Sequence, residues 1–356
     1  SENPDLIPGS EVLALNGNNM EEILEQMFAF TSSDGYTKHW ASYYLQEIFA
    51  YRFRFLLDES DQFELQLKPP NGLVRDFTLR GLSPKQMDSL RHQRKLPARK
   101  AEPSIQLSWN EELHTAILRI LRFENWKEEG KKVDFLKFLK QSMKEIIDSG
   151  AKNLILDVGD RGGGDEAYGL EILSYLIDQP FTGYTAIEFA NKTFKSRKYS
   201  ETSKLEMALY KTLMRFQKTD SSYLLKNYKV LKPVAPKALH FSGDVYVIAS
   251  RSTASATSDF VAWVHALGLA PIIGEETGGG YYGNTSNWEF TISLPQTKIR
   301  LYVPLARYFT NVKADIPLGR GVIPDYQVTP TIEDILAGLD PQLEFVFELI
   351  KKNSQP

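Results

Sequence analysis

The chain contains no cysteine and few histidines. The missing cysteines exclude thiol catalysis, disulfide bonds and cysteine-ligated metals. They leave the compartment open, because a cysteine-free chain survives in either redox setting. The five histidines, at positions 39, 92, 114, 240 and 265, show neither HxxxH nor HxH spacing. A zinc site is therefore not expected.

The chain also lacks a large charge of either sign and a long apolar run. Its net charge of −3 gives no electrostatic reason to expect a nucleic acid or an anionic membrane as partner. No stretch approaches the roughly 20 apolar residues of a membrane helix, and no signal peptide is visible. Residues 1–4 begin without Met, so we expect a processed or trimmed N-terminus.

What the chain does contain is the composition of an ordinary soluble globular protein, with 42% hydrophobic and 24% charged residues. Its 356 residues exceed the usual size of a single core, so two domains are predicted.

The first hundred residues have the pattern of a small domain. Residues 7–17 predict a turn, a short strand and an Asn-Gly turn. Apolar spacing predicts helices over 20–30 and 40–57. Two alternating segments, 63–67 and 73–79, predict a β-hairpin. Residues 84–104, rich in proline and basic residues, are interpreted as a linker, and its basic run 91–95 as a solvated surface.

Strands and helices alternate after residue 105, which predicts parallel β-α units with helices covering a sheet. The predicted strands are 114–120, 152–158, 244–249 and 271–275, and the predicted helices are 133–147, 167–177, 258–267 and 343–351. We further predict a helical excursion over 203–227, an antiparallel pair formed by 288–294 and 299–305, and an edge segment at 321–325.

The most informative segment is the run of small residues from Arg251 to Phe260, which lies between a predicted strand and a predicted helix. A hydroxyl on such a turn is exposed and borders the unpaired N–H groups of the helix N-terminus. A nucleophilic serine beside oxyanion donors needs this geometry. The alternative is an ordinary N-cap cluster, since Ser, Thr and Asp are favoured there.

Two glycine-rich segments also follow predicted strands. Gly162, Gly163 and Gly164 allow backbone N–H groups to approach a ligand closely, as a phosphate cradle, an oxyanion-binding turn or merely a flexible loop. Because sites form at the carboxyl ends of parallel strands, this turn is expected to face the serine turn, an arrangement suited to acyl transfer. The run Gly278, Gly279 and Gly280 is interpreted as a substrate-binding wall or a mobile loop.

Five segments, in order, resemble the motifs of the carboxyl-terminal processing (tail-specific) serine peptidases. Residues 7–17 resemble the start of that family's PDZ-like domain, and 155–164 its "LDLRxNGGG" strand and turn. Residues 253–258 resemble "TASASE", 274–277 "GExT" and 321–325 "GIxPD". The resemblance implies an α/β fold with a Clp protease/crotonase-like core at 105–356. A smaller PDZ-like domain with a helical insertion, its start truncated, would occupy 1–100.

The resemblance also implies site residues. Ser255 takes the position of the nucleophile, and the backbone N–H groups of Ala256 and Gly163 take the positions of the oxyanion donors. Ser252 and Ser258 are the other candidate nucleophiles, with Ser258 interpreted as a helix cap. The remaining glycines expected to contact substrate are Gly162, Gly164, Gly278, Gly279 and Gly280. No metal or organic cofactor is implied.

The general base is not evident in this sequence. The family's lysine base aligns with Gly280, which cannot accept a proton. Relatives that use a histidine carry it before the PDZ-like domain, and their acidic residue aligns with Leu318. We therefore expect the base in a missing N-terminal part. His39 lies in the predicted insertion and would reach the site only through domain packing.

The implied function is endopeptidase cleavage near the C-terminus of a protein, whose tail binds as an added strand. The family's usual location implies an exported or periplasmic protein in the bacterial envelope. Two alternatives stay open: a catalytically weak or inactive protein that binds peptide tails, and a crotonase-like acyl-CoA enzyme that uses the glycine turns as its oxyanion hole. The sequence does not give the oligomeric state.

Overall fold

The computed structural model describes residues 6–70, 72–83, 85, 86, 89, 103–128, 131–160, 162–191, 214–285 and 288–354. Most of the predicted linker, its basic run 91–95 and the first part of the predicted helical segment 203–227 lie outside these residues.

The N-terminal region consists of one antiparallel sheet and two helices. Its strands are β1 (Glu11–Leu15), β2 (Asn18–Asn19), β3 (Gln62–Lys68) and β4 (Arg75–Arg80), and its helices are α1 (Met20–Ala29) and α2 (His39–Leu56). The strand order is β2-β1-β3-β4, with every neighbouring pair antiparallel. The predicted strand, helices and hairpin are confirmed.

Local chemistry explains how these elements begin. Asn16 and Gly17 both have positive φ, at 48° and 76°, as an Asn-Gly hairpin turn requires. The Asn19 side chain caps α1 by accepting a hydrogen bond from the Glu21 N–H. Buried side chains of α1 and α2, including Met27 and Phe53, then form a core of their own. The PDZ-like character of this region and its boundary at residue 100 stay predictions.

The C-terminal region holds the remaining elements. Its helices are α3 (Phe135–Asp148), α4 (Glu166–Leu173), α5 (Ala256–Leu267), α6 (Ile332–Ala337) and α7 (Pro341–Asn353). Its strands are β5 (Ile105–Asn110), β6 (Thr115–Ile120), β7 (Trp126–Glu128), β8 (Lys131–Val133), β9 (Asn153–Asp157), β10 (Tyr184–Phe189), β11 (Phe216–Lys218), β12 (Tyr223–Leu225), β13 (Asp244–Ala249), β14 (Ile272–Gly274), β15 (Glu289–Ser293), β16 (Arg300–Pro304), β17 (Ala306–Thr310) and β18 (Tyr326–Gln327). No helix among the described residues is long and apolar enough to cross a membrane.

A six-stranded sheet in the order β18-β14-β13-β9-β6-β5 forms the centre of this region. Its strands run parallel except at the β5–β6 pair. Successive side chains of a strand point to opposite faces, so Leu154 and Leu156 join the core that contains α5, while Ile155 joins a second core with α7. Burial of both faces is what a parallel sheet needs. The predicted α/β architecture is confirmed.

Two predictions of local structure are wrong. Within the segment 203–227, the described residues form strands β11 and β12, in a second, antiparallel sheet ordered β11-β12-β10-β17. Contacts of the Phe216 ring with Phe189 at 5.2 Å and with Tyr223 at 6.4 Å favour these strands. The sheet edge also forms at Tyr326–Gln327 instead of 321–325, because residues 326 and 327 pair with β14.

Adjacent parallel strands bring two turns to one edge of the central sheet. Strands β9 and β13 pair in register from Asn153↔Asp244 to Asp157↔Ile248. The chain after β9 and the chain after β13 therefore leave the sheet side by side. Hydrogen bonds fix them there: Thr253 Oγ1 donates to the Val158 carbonyl at 2.9 Å, and Ser250 Oγ donates to the Gly159 carbonyl.

We predict that alanine is poorly tolerated at the end of β14. Gly274 has a φ of 120°, and a Cβ there would lie 2.1 Å from the Ala249 carbonyl oxygen. Gly268, the C-cap of α5, also has a positive φ, of 64°, but a Cβ there would meet nothing within 4 Å. Gly274→Ala should lower the free energy of unfolding by about 3 kcal/mol or more, and Gly268→Ala by about 1 kcal/mol. Urea unfolding of both variants measures the difference, and equal losses would contradict the packing described.

Candidate active site

Ser255 occupies a strained turn directly before α5. Its φ and ψ are 55° and −137°, a combination that a non-glycine residue rarely adopts. It stands at the N-cap position but makes no capping hydrogen bond with its side chain, so the N-cap interpretation does not account for it. A serine on a sharp turn from strand to helix is the backbone arrangement of a nucleophile elbow.

The two other candidate nucleophiles are buried and hydrogen-bonded. Ser252 is 4% exposed, and its Oγ donates to the Gly159 carbonyl at 3.0 Å. Ser258 is 1% exposed, lies inside α5, and donates to Thr277 Oγ1 at 3.3 Å. Ser258 is therefore not the helix cap that the sequence suggested. Both side chains connect the serine turn to neighbouring loops, whereas Ser255 is only half-buried.

The glycine turn packs directly on the serine turn. A Cβ on Gly162 would lie 2.8 Å from Thr257 Cβ, and one on Gly163 would lie 3.7 Å from Ser255 Cβ. At Gly164, with a φ of 121°, a Cβ would lie 2.3 Å from the carbonyl oxygen of Phe123. The structure thus places Gly163 beside Ser255, whereas Gly164 packs against the backbone on the other side of the turn.

The N–H groups of the two predicted oxyanion donors have different surroundings. The Ala256 N–H belongs to the first residue of α5, at the positive end of the helix dipole, which favours an anion. The Gly163 N–H donates to Thr257 Oγ1 at 2.6 Å. To act as an oxyanion donor, the Gly163 N–H would have to release the Thr257 hydroxyl or share its hydrogen with both acceptors.

The third glycine run closes the turn from another side. Gly279 donates its N–H to the Thr253 carbonyl at 3.1 Å, and a Cβ there would lie 2.7 Å from Ser258 Cβ. A Cβ on Gly278 would lie 2.3 Å from the Arg251 carbonyl oxygen and 3.1 Å from Trp40 Cβ. Gly278 and Gly279 are buried, so their lack of side chains permits close packing. A role for them in substrate binding stays a prediction.

A segment of the N-terminal region, residues 34–40, contacts these loops. The Asp34 carboxylate lies 3.4 Å from the Gly280 N–H, and the Tyr36 N–H donates to the Gly319 carbonyl at 3.2 Å. His39 Nε2, at the start of α2, lies 3.2 Å from Glu276 Oε2. The packing of residues 34–40 on these loops therefore places His39 beside Glu276, next to the glycine run 278–280.

Glu276 connects this histidine to the core. Burial alone would raise the pKa of Glu276, but hydrogen bonds from the Arg320 guanidinium and the Gly321 N–H outweigh it, so the pKa lies below its ordinary value. The side chain is 5% exposed. The carboxylate therefore stays charged and holds His39 beside the glycine run at residues 278–280.

A second buried carboxylate lies one turn into α5. The Tyr184 hydroxyl donates to Asp259 at 2.6 Å, and Asn284 Nδ2 lies 3.1 Å from the same oxygen. Burial raises the pKa of Asp259 to about 7, and the nearby carboxylates of Glu166 and Asp34 act in the same direction. The N–H of Asp259 donates to the Ser255 carbonyl at 3.0 Å, so this titrating group belongs to the helix turn that supports Ser255.

The described residues contain no group of three or more His, Asp or Glu side chains that could hold a metal ion.

Residues 114–328, more than half of the chain, match the family model for peptidase family S41. The chain belongs to peptidase family S41. No curated protein sequence matches it. The S41 membership confirms the predicted serine peptidase and, with the sheet described above, the predicted Clp protease/crotonase-like α/β core.

Two solved structures of CPAF have a similar fold. Mature CPAF complexed with lactacystin is 15% identical, with 98% of this chain and 78% of that chain covered and a TM-score of 0.57. A second structure of mature CPAF is 14% identical, with the same shares of both chains covered and a TM-score of 0.56. The photosystem II D1 C-terminal processing protease is 13% identical over 90% of this chain and 63% of that chain, with a TM-score of 0.39. At 14–15% identity, the likeness to the two CPAF structures shows the fold alone.

The sequence does not indicate several side chains of this candidate site. It suggests His39 only through domain packing, and it gives no role to Asp34, Arg320 or Asp259. Asp34 lies 246 positions from Gly280, so no local spacing pattern indicates their contact. Asp259 had one signal, its position within the run of small residues that contains Ser255.

We predict that Asp259 makes the stability of the protein depend on pH. Because its pKa is raised from an ordinary 3.8 to about 7 in the folded chain, the folded state retains the proton that the unfolded state releases. The stabilisation is fully present below about pH 4 and is lost as the pH rises towards 7, by about 1.4 kcal/mol per pH unit. The free energy of unfolding, measured between pH 4 and 8, should fall more steeply for the natural chain than for Asp259→Asn. Parallel curves would show that Asp259 is not the responsible group.

Proposed function

We propose that this S41 peptidase is a serine endopeptidase that cleaves protein substrates near their C-terminal tails, with Ser255 as its nucleophile. The observation that carries the proposal is the position of Ser255. It has a positive φ and lies next to Gly163 at the N-terminus of α5. These features support a hydroxyl presented to substrate beside backbone donors.

The reaction would proceed through an acyl-enzyme. Ser255 Oγ attacks the scissile carbonyl carbon while its proton passes to a base, and the carbonyl oxygen becomes an oxyanion. The N–H groups of Ala256 and Gly163 would stabilise that oxyanion. Collapse of the tetrahedral intermediate expels the amine, which takes up the proton, and leaves the acyl group on Ser255. Water then attacks the ester and releases the acid.

His39 is our candidate for the general base within the described residues. Its Nε2 is held by Glu276, which is the pairing that orients an imidazole for proton transfer. His265 lies ten residues beyond Ser255 in α5, about 15 Å along the helix axis, and faces Tyr281. His240 pairs with Asp178. Helix α2 begins beside the glycine run 278–280, where Trp40 packs on Gly278. This position favours His39 over His265 and His240 as the base.

The substrate and location remain further parts of the proposal. A peptide tail would add to a sheet edge through backbone hydrogen bonds, with the glycines at 162–164 and 278–280 along its path. The resemblance to tail-specific peptidases supports the choice of a C-terminal tail and an exported, periplasmic location.

Labelling with a fluorophosphonate probe tests the nucleophile. Ser255→Ala should abolish labelling, because the reacting oxygen is removed, while its circular dichroism stays that of the natural chain. Ser252→Ala is the matched control, since it removes a buried hydroxyl from the same turn and should still label. Labelling of the Ser255→Ala variant, or its loss in Ser252→Ala alone, would refute the assignment.

The same probe tests the base. His39→Gln should slow labelling by about a hundredfold or more if the imidazole accepts the Ser255 proton. The loss should shrink at high pH, where hydroxide deprotonates the serine without a base. His240→Gln serves as the control and should leave the rate unchanged. An unchanged rate in His39→Gln would place the base elsewhere.

A further inference from the structure

Helix α2 is apolar on two opposite faces. Its inner face packs Leu45 and Phe53 into the core of the N-terminal region, each 3% exposed. Its outer face presents Tyr44, Tyr51 and Phe55 to solvent, with exposures of 39%, 71% and 71%. A surface helix normally carries polar residues opposite its core face, so the outer face of α2 needs another explanation.

The outer aromatic side chains follow a single line. Trp40, Tyr44, Tyr51 and Phe55 are spaced by four, seven and four residues, which places them within an arc of roughly 60° on an α-helix. We call these four side chains the aromatic stripe. They form two stacked pairs, Trp40 with Tyr44 at 6.4 Å and Tyr51 with Phe55 at 6.3 Å between ring centroids.

The aromatic stripe begins at the candidate active site. Trp40 packs on Gly278, where an added Cβ would lie 3.1 Å from Trp40 Cβ. The residue before Trp40 is His39, in contact with Glu276. From Trp40 the stripe runs along α2 for about 22 Å, at 1.5 Å per residue. An extended peptide covers that distance with about seven residues.

We propose that the aromatic stripe is a binding surface for an extended, apolar segment of the protein substrate, lying several residues away from the scissile bond. The proposal rests on the proposed function, since it takes the loop at Gly278 as part of the substrate path. Family S41 membership already makes the partner a protein or peptide. Exposed aromatic side chains that start at the candidate site and extend away from it mark an interaction surface, and aromatic side chains bind at a low cost in side-chain entropy.

This surface selects for particular substrates. Side chains stacked in pairs offer faces for aliphatic and aromatic groups, but the stripe itself supplies no charge. We therefore expect preference for unfolded segments rich in Leu, Phe or Val over polar segments of the same length. A short peptide that covers only the residues next to the scissile bond does not reach Tyr51 and Phe55, so its binding is independent of them.

Peptide binding to the Ser255→Ala variant tests the proposal without requiring catalysis. The probes are two fluorescent 14-residue peptides, one with leucines throughout the half that reaches the stripe and one with serines there. Fluorescence anisotropy gives each dissociation constant. Replacing both Tyr51→Ser and Phe55→Ser should raise the dissociation constant of the leucine peptide about tenfold and leave that of the serine peptide unchanged.

The matched control is Phe30→Ser, which removes an aromatic ring that is 63% exposed and lies outside the stripe. It should not change either constant. Equal binding of the leucine peptide before and after the stripe substitutions would overturn the proposal, as would no measurable binding to the parent variant. Sedimentation that shows a dimer dissolved by the stripe substitutions would also overturn it, because the occupant would then be a second copy of the chain.

The peptide-binding test and the fluorophosphonate test can fail separately. If the natural chain fails to react with fluorophosphonate but the leucine peptide still depends on Tyr51 and Phe55, the binding surface stands and the proposed chemistry falls. If labelling succeeds and this dependence is absent, the reverse holds.

Discussion

The close packing of the glycine turn on the serine turn is the contact on which the rest of the site depends. The two turns leave neighbouring parallel strands, β9 and β13, at the same sheet edge. There is no room for a side chain at Gly162, where a Cβ would press on Thr257, and the Gly163 N–H bonds to the Thr257 hydroxyl. These contacts fix the first turn of α5, and with it the strained backbone of Ser255. Strain of this kind persists only where the surrounding structure determines it.

The buried carboxylates near α5 differ in how readily they lose a proton. Asp259 is buried next to other carboxylates, and its pKa of about 7 means that it is largely protonated in mildly acidic solution. We infer that a neutral Asp259 leaves the positive end of the α5 dipole available to another anion, as a developing oxyanion would need. Glu276 has the opposite character, since the Arg320 guanidinium and the Gly321 N–H keep it charged. Two buried carboxylates near one site thus have pKa values shifted in opposite directions, which is a feature of sites that move protons.

The N-terminal region belongs to this site as much as the core does. Asp34, His39 and Trp40 come from one short segment and contact Gly280, Glu276 and Gly278 respectively. The family match begins only at residue 114, so membership of S41 says nothing about these contacts. They connect the candidate chemistry to helix α2 and to the exposed rings along it. If the aromatic stripe binds substrate as proposed, changes in α2 would alter which substrates are bound while the S41 core stays the same.

The sequence by itself determined the elements with strong local signals. Asn16-Gly17, the period of α1 and α2, and the small residues before α5 each specify their structure over a few positions. The choice of Ser255 as candidate nucleophile came from the family resemblance of that last run and stays a prediction. Local patterns failed where distant contacts decide: residues 216–225 form strands because their rings meet Phe189, and the sheet edge lies at 326–327 because β14 pairs there. Only the tertiary structure decided that His39 meets Glu276 and that Asp259 is buried beside Tyr184. Pairings across many positions depend on how whole elements pack, and no spacing along the chain encodes them.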